Sequence, residues 1–200
     1  MIPVSETIPM EKAVFLDRDG TIVEDTGYLH EIINIKFLPG VVEAIKSLNE
    51  NGYKVIVVTN QAGVARGYFD EDAVREVNGF IQQSLSREGA FIDGIYYCPH
   101  HAEGVIEEYR KDCYCRKPNP GMIEKAACDF NVDLKLSFMI GDNTTDAEAG
   151  IRAGCRTVLL SDINSQRDTE LTRGACDAIC SDLYLAVRWL LTAEGKSFAL

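Results

Sequence analysis

Asp17 and Asp19 stand two residues apart, after the apolar run Val14-Phe15-Leu16 and just ahead of Gly20-Thr21. Two carboxylates so placed can share one divalent cation, which offsets their mutual repulsion and their repulsion of an incoming phosphate. One can attack as a nucleophile while its neighbour, turned slightly away, donates and later accepts a proton. A lone Asp-x-Asp is as readily a solvated turn or a structural pair, so its companions decide the matter. Val55 to Val58 is a second apolar run, ending in Thr59-Asn60, a hydroxyl and an amide suited to phosphate oxygens. Lys117 stands just before Pro118, and Phe138-Met139-Ile140-Gly141 leads into Asp142, with Asp146 one helical turn beyond. In open α/β sheets ligands bind at the carboxyl edge of the strands, which is where the groups following these runs fall.

A second constellation is Cys98-Pro99-His100 with Cys113-Tyr114-Cys115, a C-x-H-x12-C-x-C pattern of three thiolates and one imidazole. Tetrahedral zinc suits that set, and four protein ligands leave no position for water, so such an ion is structural and pins the loop. Reduced core cysteines beside a chance histidine are the alternative. His101 competes with His100, but the C-x-H spacing favours the first, and His101 reads as a solvated loop residue. The other cysteines, Cys128, Cys155, Cys176 and Cys180, read as small core residues.

These groups need elements to hold them. Strand-like runs alternate with amphipathic segments along the chain, the order of an α/β fold: a doubly wound, mainly parallel sheet with helices on both faces. Strands are predicted at Val14–Leu16, Val55–Val58, Ile95–Tyr97, Phe138–Ile140 and Thr157–Leu160, each short and apolar on both faces. Helical spacing joins Val41, Ala44, Ile45 and Leu48 after Pro39, with Asn51-Gly52 as a stop. It also joins Val74, Val77, Ile81 and Leu85 behind Asp70 as N-cap. Two more helices carry Met122, Ile123, Ala126 and Phe130 after Asn119-Pro120, and Leu183, Val187 and Leu190 after Ser181. Residues 1–11 and 193–200 show little periodicity and read as loose ends. His100 to Pro118 is the longest stretch without helix or strand signals, and loops of that length are usually functional or metal-held. No repeat, low-complexity tract or Pro/Gly/Ser linker marks a boundary. One domain over 1–200 is expected, with its core from about 12 to 192 and the zinc loop at 98–116.

With 46% hydrophobic and 26% charged residues among 200, the composition is that of a soluble globular protein. No run of about 18 apolar residues and no basic-then-apolar leader is present, so the cytoplasm is expected and a membrane is not. The net charge of -11 disfavours nucleic acid as a partner, and any phosphate site must be locally cationic. A monomer is expected.

The pieces ending in Asp17, Thr59, Lys117 and Asp142, in that order, resemble the motifs of the haloacid dehalogenase-like superfamily over about Val14 to Leu160. The resemblance implies magnesium-dependent phosphatase chemistry in which Asp17 becomes a phosphoaspartate and Asp19 is general acid then base. It implies that Thr59 and Lys117 hold the transferring phosphoryl group, and that Asp142 joins Asp17 and the main-chain carbonyl of Asp19 in the magnesium site. An acid at position 19 favours phosphate esters over halides, because a leaving alkoxide needs a donor. The zinc loop is similar to the branch that contains the heptose 1,7-bisphosphate phosphatase family and the histidinol-phosphate phosphatase domain. The Ala102 to Asp112 insert resembles the former, so the expected substrate is a small phosphorylated sugar, D-glycero-D-manno-heptose 1,7-bisphosphate, losing its C7 phosphate. Histidinol phosphate is the alternative, and a catalytically dead zinc-loop binding module a remote one. By resemblance, Asp25, Thr26, Gly27, Tyr28, Asn60, Gln61 and Ala62 contact substrate, and Arg116 binds the phosphate that is not cleaved. One departure is Asn143, where the heptose enzymes often carry lysine. No segment is long enough for a cap domain over the site.

Overall fold

A computed structural model describes residues 9–161 and 176–193. At its centre six strands form one sheet: β1 (Lys12–Leu16), β2 (Tyr53–Asn60), β3 (Gly94–Cys98), β4 (Phe138–Gly141), β5 (Arg156–Leu160) and β6 (Ala178–Cys180). Their spatial order is β3-β2-β1-β4-β5-β6, and every pairing is parallel. The chain winds outward from β1 through β2 and β3, then returns to the other side of β1 with β4. The carboxyl ends of β1 and β4 therefore meet where the winding reverses, the place at which such sheets open a crevice.

Among the described residues five α-helices cover the sheet: α1 (Val41–Glu50), α2 (Glu71–Arg87), α3 (Gly121–Phe130), α4 (Thr144–Ala153) and α5 (Leu183–Ala193). Side chains alternate along each strand, so one face of β1 presents Val14 and Leu16 to a cluster with Ile45 of α1, Ile81 of α2 and Val187 of α5. The other face presents Ala13 and Phe15 to Met122 and Ile123 of α3 and Ala149 of α4. Burial of each large apolar side chain contributes roughly 1.5–3 kcal/mol. Residues 13 to 16 of β1 are all 0% exposed, so this strand is the best-anchored platform for the groups that follow it. The start of α2 is set by Asp70, whose side chain accepts from Ala73 N at 2.9 Å.

All five expected strands and four expected helices are present. Among the described residues one α-helix and one strand went unpredicted. α4 reads TTDAEAGIRA and buries only Ala147, Ala149, Gly150 and Asp146, so no large apolar stripe announces it. β6 is three residues long and exists through its pairing with β5. The N-terminal end is tied down earlier than expected, because Glu11 N donates to Asn131 O and Asp133 N to Glu11 O, both at 2.8 Å. Residues 1–8 and 194–200 of the expected loose ends lie outside the described residues. His100 to Pro118 carries neither helix nor strand, as expected, and neither it nor residues 21–39 builds a cap over the site. Cys155 and Cys180 are buried and Cys176 half-buried, but Cys128 is exposed, since α3 turns Met122, Ile123, Ala126 and Ala127 inward instead. Among the described residues no helix is long and apolar enough to cross a membrane.

Candidate active site

Leu16 of β1 lies beside Ile140 of β4, so the residues after them enter the same crevice. Asp17 stays in register with β4 by donating its N–H to Ile140 O at 3.0 Å, and is only 9% exposed. Lys117, 3% exposed, reaches the site from the end of the long loop. Its Nζ donates to Asp17 Oδ1 at 2.8 Å and to Val58 O at 2.7 Å, and lies 2.6 Å from Asp146 Oδ1. Asn60, the last residue of β2, holds this lysine's backbone: Oδ1 accepts from Lys117 N at 3.1 Å and Nδ2 donates to Lys117 O at 3.0 Å. Asp146 is placed by the start of α4, where its Oδ2 accepts from Asn143 N at 3.0 Å.

The carboxylates of Asp17, Asp142 and Asp146 bring oxygens within 4.8 Å of one another. Burial, followed by repulsion from Asp146 and Asp19, pushes the Asp17 carboxyl up to about 7 despite the attraction of Lys117. Desolvation on its cleft side and the Asp146 charge raise Asp142 to about 6. Burial works against the Lys117 charge, yet Asp146 and Asp17 outweigh it and hold the ammonium above its ordinary range. Three acidic groups sharing one ammonium leave negative charge uncompensated, and hard oxygen donors at this spacing fit a divalent cation such as magnesium. With Asp146 drawn to Lys117, Asp17 and Asp142 are the side chains best placed to hold one. Gly20 makes room: it has a φ of +79°, and a Cβ there would strike the Asp142 carboxylate.

The Asp19 side chain does not join this cluster. Its carboxylate accepts from Arg18 Nε at 3.1 Å and Nη2 at 2.9 Å, and from Gln61 Nε2 at 2.9 Å. The convergence of both motif carboxylates on one ion, expected from their spacing, is thus replaced by Asp17, Asp142 and Asp146. The Arg18 fork on one side and the Gln61 amide on the other hold the Asp19 carboxylate apart from the cluster. Gln61 also donates to Thr59 Oγ1 at 2.8 Å.

The cleft is about 300 Å³, and its walls carry Asp17, Asp19, Asp25, Asp142 and Asp146 against the cations Arg116 and Lys117. Gly27, Thr59, Asn60, Asn143 and Thr145 complete the lining. Of the expected substrate contacts, Thr26, Tyr28, Gln61 and Ala62 lie outside this lining. Thr26 and Tyr28 are exposed at the rim, where Tyr28 packs edge-on against Tyr68 with ring centroids 4.7 Å apart. Asp146 and Thr145 are the cleft residues that sequence reasoning left without a role. The Asn-x-x-Asp capping spacing ahead of α4 was the available signal.

Beside the cleft, Cys98, His100, Cys113 and Cys115 converge as expected. Their sulfurs are 3.2 to 3.4 Å apart, and His100 Nδ1 lies 3.4 Å from Cys115 Sγ and 3.6 Å from Cys98 Sγ. A zinc tetrahedron with bonds of about 2.3 Å has edges near roughly 3.8 Å, so the four donors need open only a few tenths of an ångström. Hydrogen bonds from Cys98 and Cys113 hold Cys115 down to about 5, whereas burial raises Cys113. His101 is not solvated as expected but half-buried, with Nε2 3.3 Å from Arg66 Nη2 and Nδ1 accepting from Glu103 N at 3.1 Å. The insert is fastened independently of the thiols: Tyr109 Oη donates to Glu71 Oε1 at 2.8 Å, and Val105 N and Ile106 N donate to Ala65 O at 2.7 and 3.0 Å. Arg116 is steadied by donating to His100 O at 3.2 Å.

This fold and this carboxylate–lysine site define a class, and the family comparisons agree with it. Residues 14–81 match the haloacid dehalogenase-like hydrolase model and residues 114–186 the HAD-hydrolase-like model. The D-glycero-beta-D-manno-heptose-1,7-bisphosphate 7-phosphatase of Haemophilus influenzae is 49% identical over 144 residues, 72% of this chain and 78% of its own. The enzyme of that name from Photorhabdus laumondii is 45% identical over 163 residues, 82% of this chain and 87% of its own. Among solved structures, D,D-heptose 1,7-bisphosphate phosphatase from B. bronchiseptica, complexed with magnesium and phosphate, superposes with a TM-score of 0.77 at 31% identity, covering 91% of this chain and 99% of that one. The chain belongs to the heptose 1,7-bisphosphate 7-phosphatase family of haloacid dehalogenase-like hydrolases.

Proposed function

We propose that this protein hydrolyses the C7 phosphate of D-glycero-D-manno-heptose 1,7-bisphosphate, giving heptose 1-phosphate for nucleotide-activated heptose. The observation that carries the reading is the convergence of Asp17, Lys117 and Asp142 in one cleft with Arg116 beside them. In the first step an Asp17 carboxylate oxygen bonds to phosphorus as the P–O bond to C7 breaks, and Asp19 gives its proton to the departing oxygen. In the second, Asp19 takes a proton from water whose oxygen displaces Asp17, releasing phosphate and restoring both groups. Magnesium held by Asp17, Asp142 and the Asp19 main-chain carbonyl supplies charge neutralisation at the phosphoryl oxygens. Lys117 adds a second positive charge there, and its pairing with Asp146 keeps the ammonium fixed rather than solvated. Thr59 accepts from Gln61, so its hydroxyl hydrogen is free to be donated to a phosphoryl oxygen.

Arg116 is the partner we assign to the retained phosphate, whose two oxygens its fork can hold at once. Asp25 and Gly27 also line the cleft and are suited to sugar hydroxyls. Zinc on Cys98, His100, Cys113 and Cys115 has an architectural role, setting the loop that delivers Arg116 and Lys117. We place the reaction in the cytoplasm, where thiols stay reduced and available to metal. A single capless domain, working as a monomer, suffices for this chemistry.

Steady-state comparison of the two heptose 1,7-bisphosphate anomers with histidinol phosphate tests the reading. The heptose bisphosphate is expected to give the higher kcat/KM. A higher value on histidinol phosphate would overturn the substrate assignment.

A further inference from the structure

Among the described residues Arg18 is the largest fully buried side chain, at 1% exposure, and the reaction described above does not use it. A guanidinium out of water is costly unless every donor is matched. Here the match is specific. Nε and Nη2 form a two-pronged contact with Asp19 at 3.1 and 2.9 Å, Nη1 donates to Asn78 Oδ1 at 2.9 Å, and Nη2 also approaches Leu29 O at 3.4 Å. Asn78 is itself buried on α2, anchored between Val77 and Ile81 of the apolar cluster. On the far side of Asp19, Gln61 donates to the same carboxylate and to Thr59.

Resting on the proposed phosphatase chemistry, we infer that Arg18, braced by Asn78, is the positioning residue that aims the Asp19 carboxyl group at the leaving oxygen. A planar fork fixes the torsion of the whole carboxyl group, which a point charge cannot do. Oδ1, which accepts only from Nε, keeps a lone pair for the proton to be delivered, whereas Oδ2 accepts from both Nη2 and Gln61. Asn78 fixes the fork in turn, so the aim of the general acid depends on where α2 packs against the sheet. Arg18 touches neither substrate nor metal in this scheme.

The consequence depends on the leaving group. A sugar alkoxide must receive a proton as it departs, and an aimed donor contributes about 10²- to 10⁴-fold there. p-Nitrophenolate leaves without one. The measure kcat/KM covers steps up to phosphoenzyme formation, so the later deprotonation of water by Asp19 does not enter it.

The test uses the magnesium-loaded, zinc-replete protein and its Arg18→Lys and Asn78→Ala variants, each assayed on heptose 1,7-bisphosphate and on p-nitrophenyl phosphate. For Arg18→Lys, kcat/KM on the sugar phosphate is expected to fall about 10- to 100-fold while that on p-nitrophenyl phosphate stays within about threefold. Asn78→Ala, which leaves the fork in place but unbraced, is expected to show the same selectivity with a smaller loss, and it decides the question if Arg18→Lys does not fold. Equal losses on both substrates would make the contact merely structural, and no loss on either would make it dispensable; each outcome overturns the inference. Failure of the unsubstituted protein to hydrolyse the heptose bisphosphate instead overturns the function proposed above, so the two failures are told apart.

Discussion

At the scale of single residues, the site is governed by how three carboxylates divide one ammonium. Lys117 lies between Asp17 and Asp146, 2.8 and 2.6 Å away, and Asp142 receives little of its charge. That division leaves Asp17 and Asp142 as the groups most in want of a cation, while Asp19 is held apart by Arg18 and Gln61. The proposed nucleophile, Asp17, and the proposed proton carrier, Asp19, are thus kept in separate electrostatic surroundings although only Arg18 separates them in sequence. The expected consequence is that Asp17→Asn removes turnover by a factor on the order of 10³ or more, because an amide is a poor nucleophile toward phosphorus. Zinc content and far-UV circular dichroism should be unchanged in that variant. Substantial residual turnover would show the nucleophile to be misassigned.

At the scale of elements, two devices deliver groups to the cleft. Strand ends present Asp17, Thr59 and Asp142, whose positions follow from the sheet. The loop after β3 presents Arg116 and Lys117, whose positions follow from side chains: three cysteines and a histidine converging at one place, Asn60 at another, and the Glu71 carboxylate clasping Tyr109. Because metal binding and loop ordering are coupled, Cys113→Ser should lower zinc below one equivalent and reduce the melting temperature together. Activity should fall as well, through the mispositioned Lys117. An unchanged melting temperature with zinc lost would mean that the Glu71 and Asn60 contacts suffice. The strand ends were legible from sequence because buried parallel strands are continuous apolar runs with a polar group at the end. α4 was not, since a helix packed through alanine and glycine has no apolar stripe, and the role of Asp146 went unseen with it.

At the scale of the whole molecule, the proposed function asks a chain of net charge -11 to bind a doubly phosphorylated sugar, and the cleft walls alone carry five aspartates against two cations. In that proposal the local sign is corrected by metal rather than by composition. This links stability to pH. Asp17 at about 7 and Asp142 at about 6 both stand above the 3.8 of a free carboxyl, so between those values the folded magnesium-free protein binds more protons than the unfolded chain. The contribution is full below the unfolded value and is lost as pH rises through the folded ones. Zinc-loaded, magnesium-free protein should therefore gain more in melting temperature from added magnesium at about pH 8 than at about pH 5. An equal gain at both would show that these carboxyls are not the ones that hold the ion.

Taken alone, the order of apolar runs determined the parallel sheet, and the residues following those runs determined the chemistry, because strand ends in this architecture share one edge whatever the loops do. The C-x-H and C-x-C spacings determined the set of four donors that converges beside the cleft, since short spacings constrain such groups locally. Only the tertiary structure decided which carboxylates share Lys117, that Asp19 turns to a buried arginine, that His101 is half-buried beside Arg66, and that Asn60 and Gln61 orient other groups. Those choices depend on distances between residues up to 100 positions apart in the chain, such as Asp17 and Lys117, which no local pattern encodes.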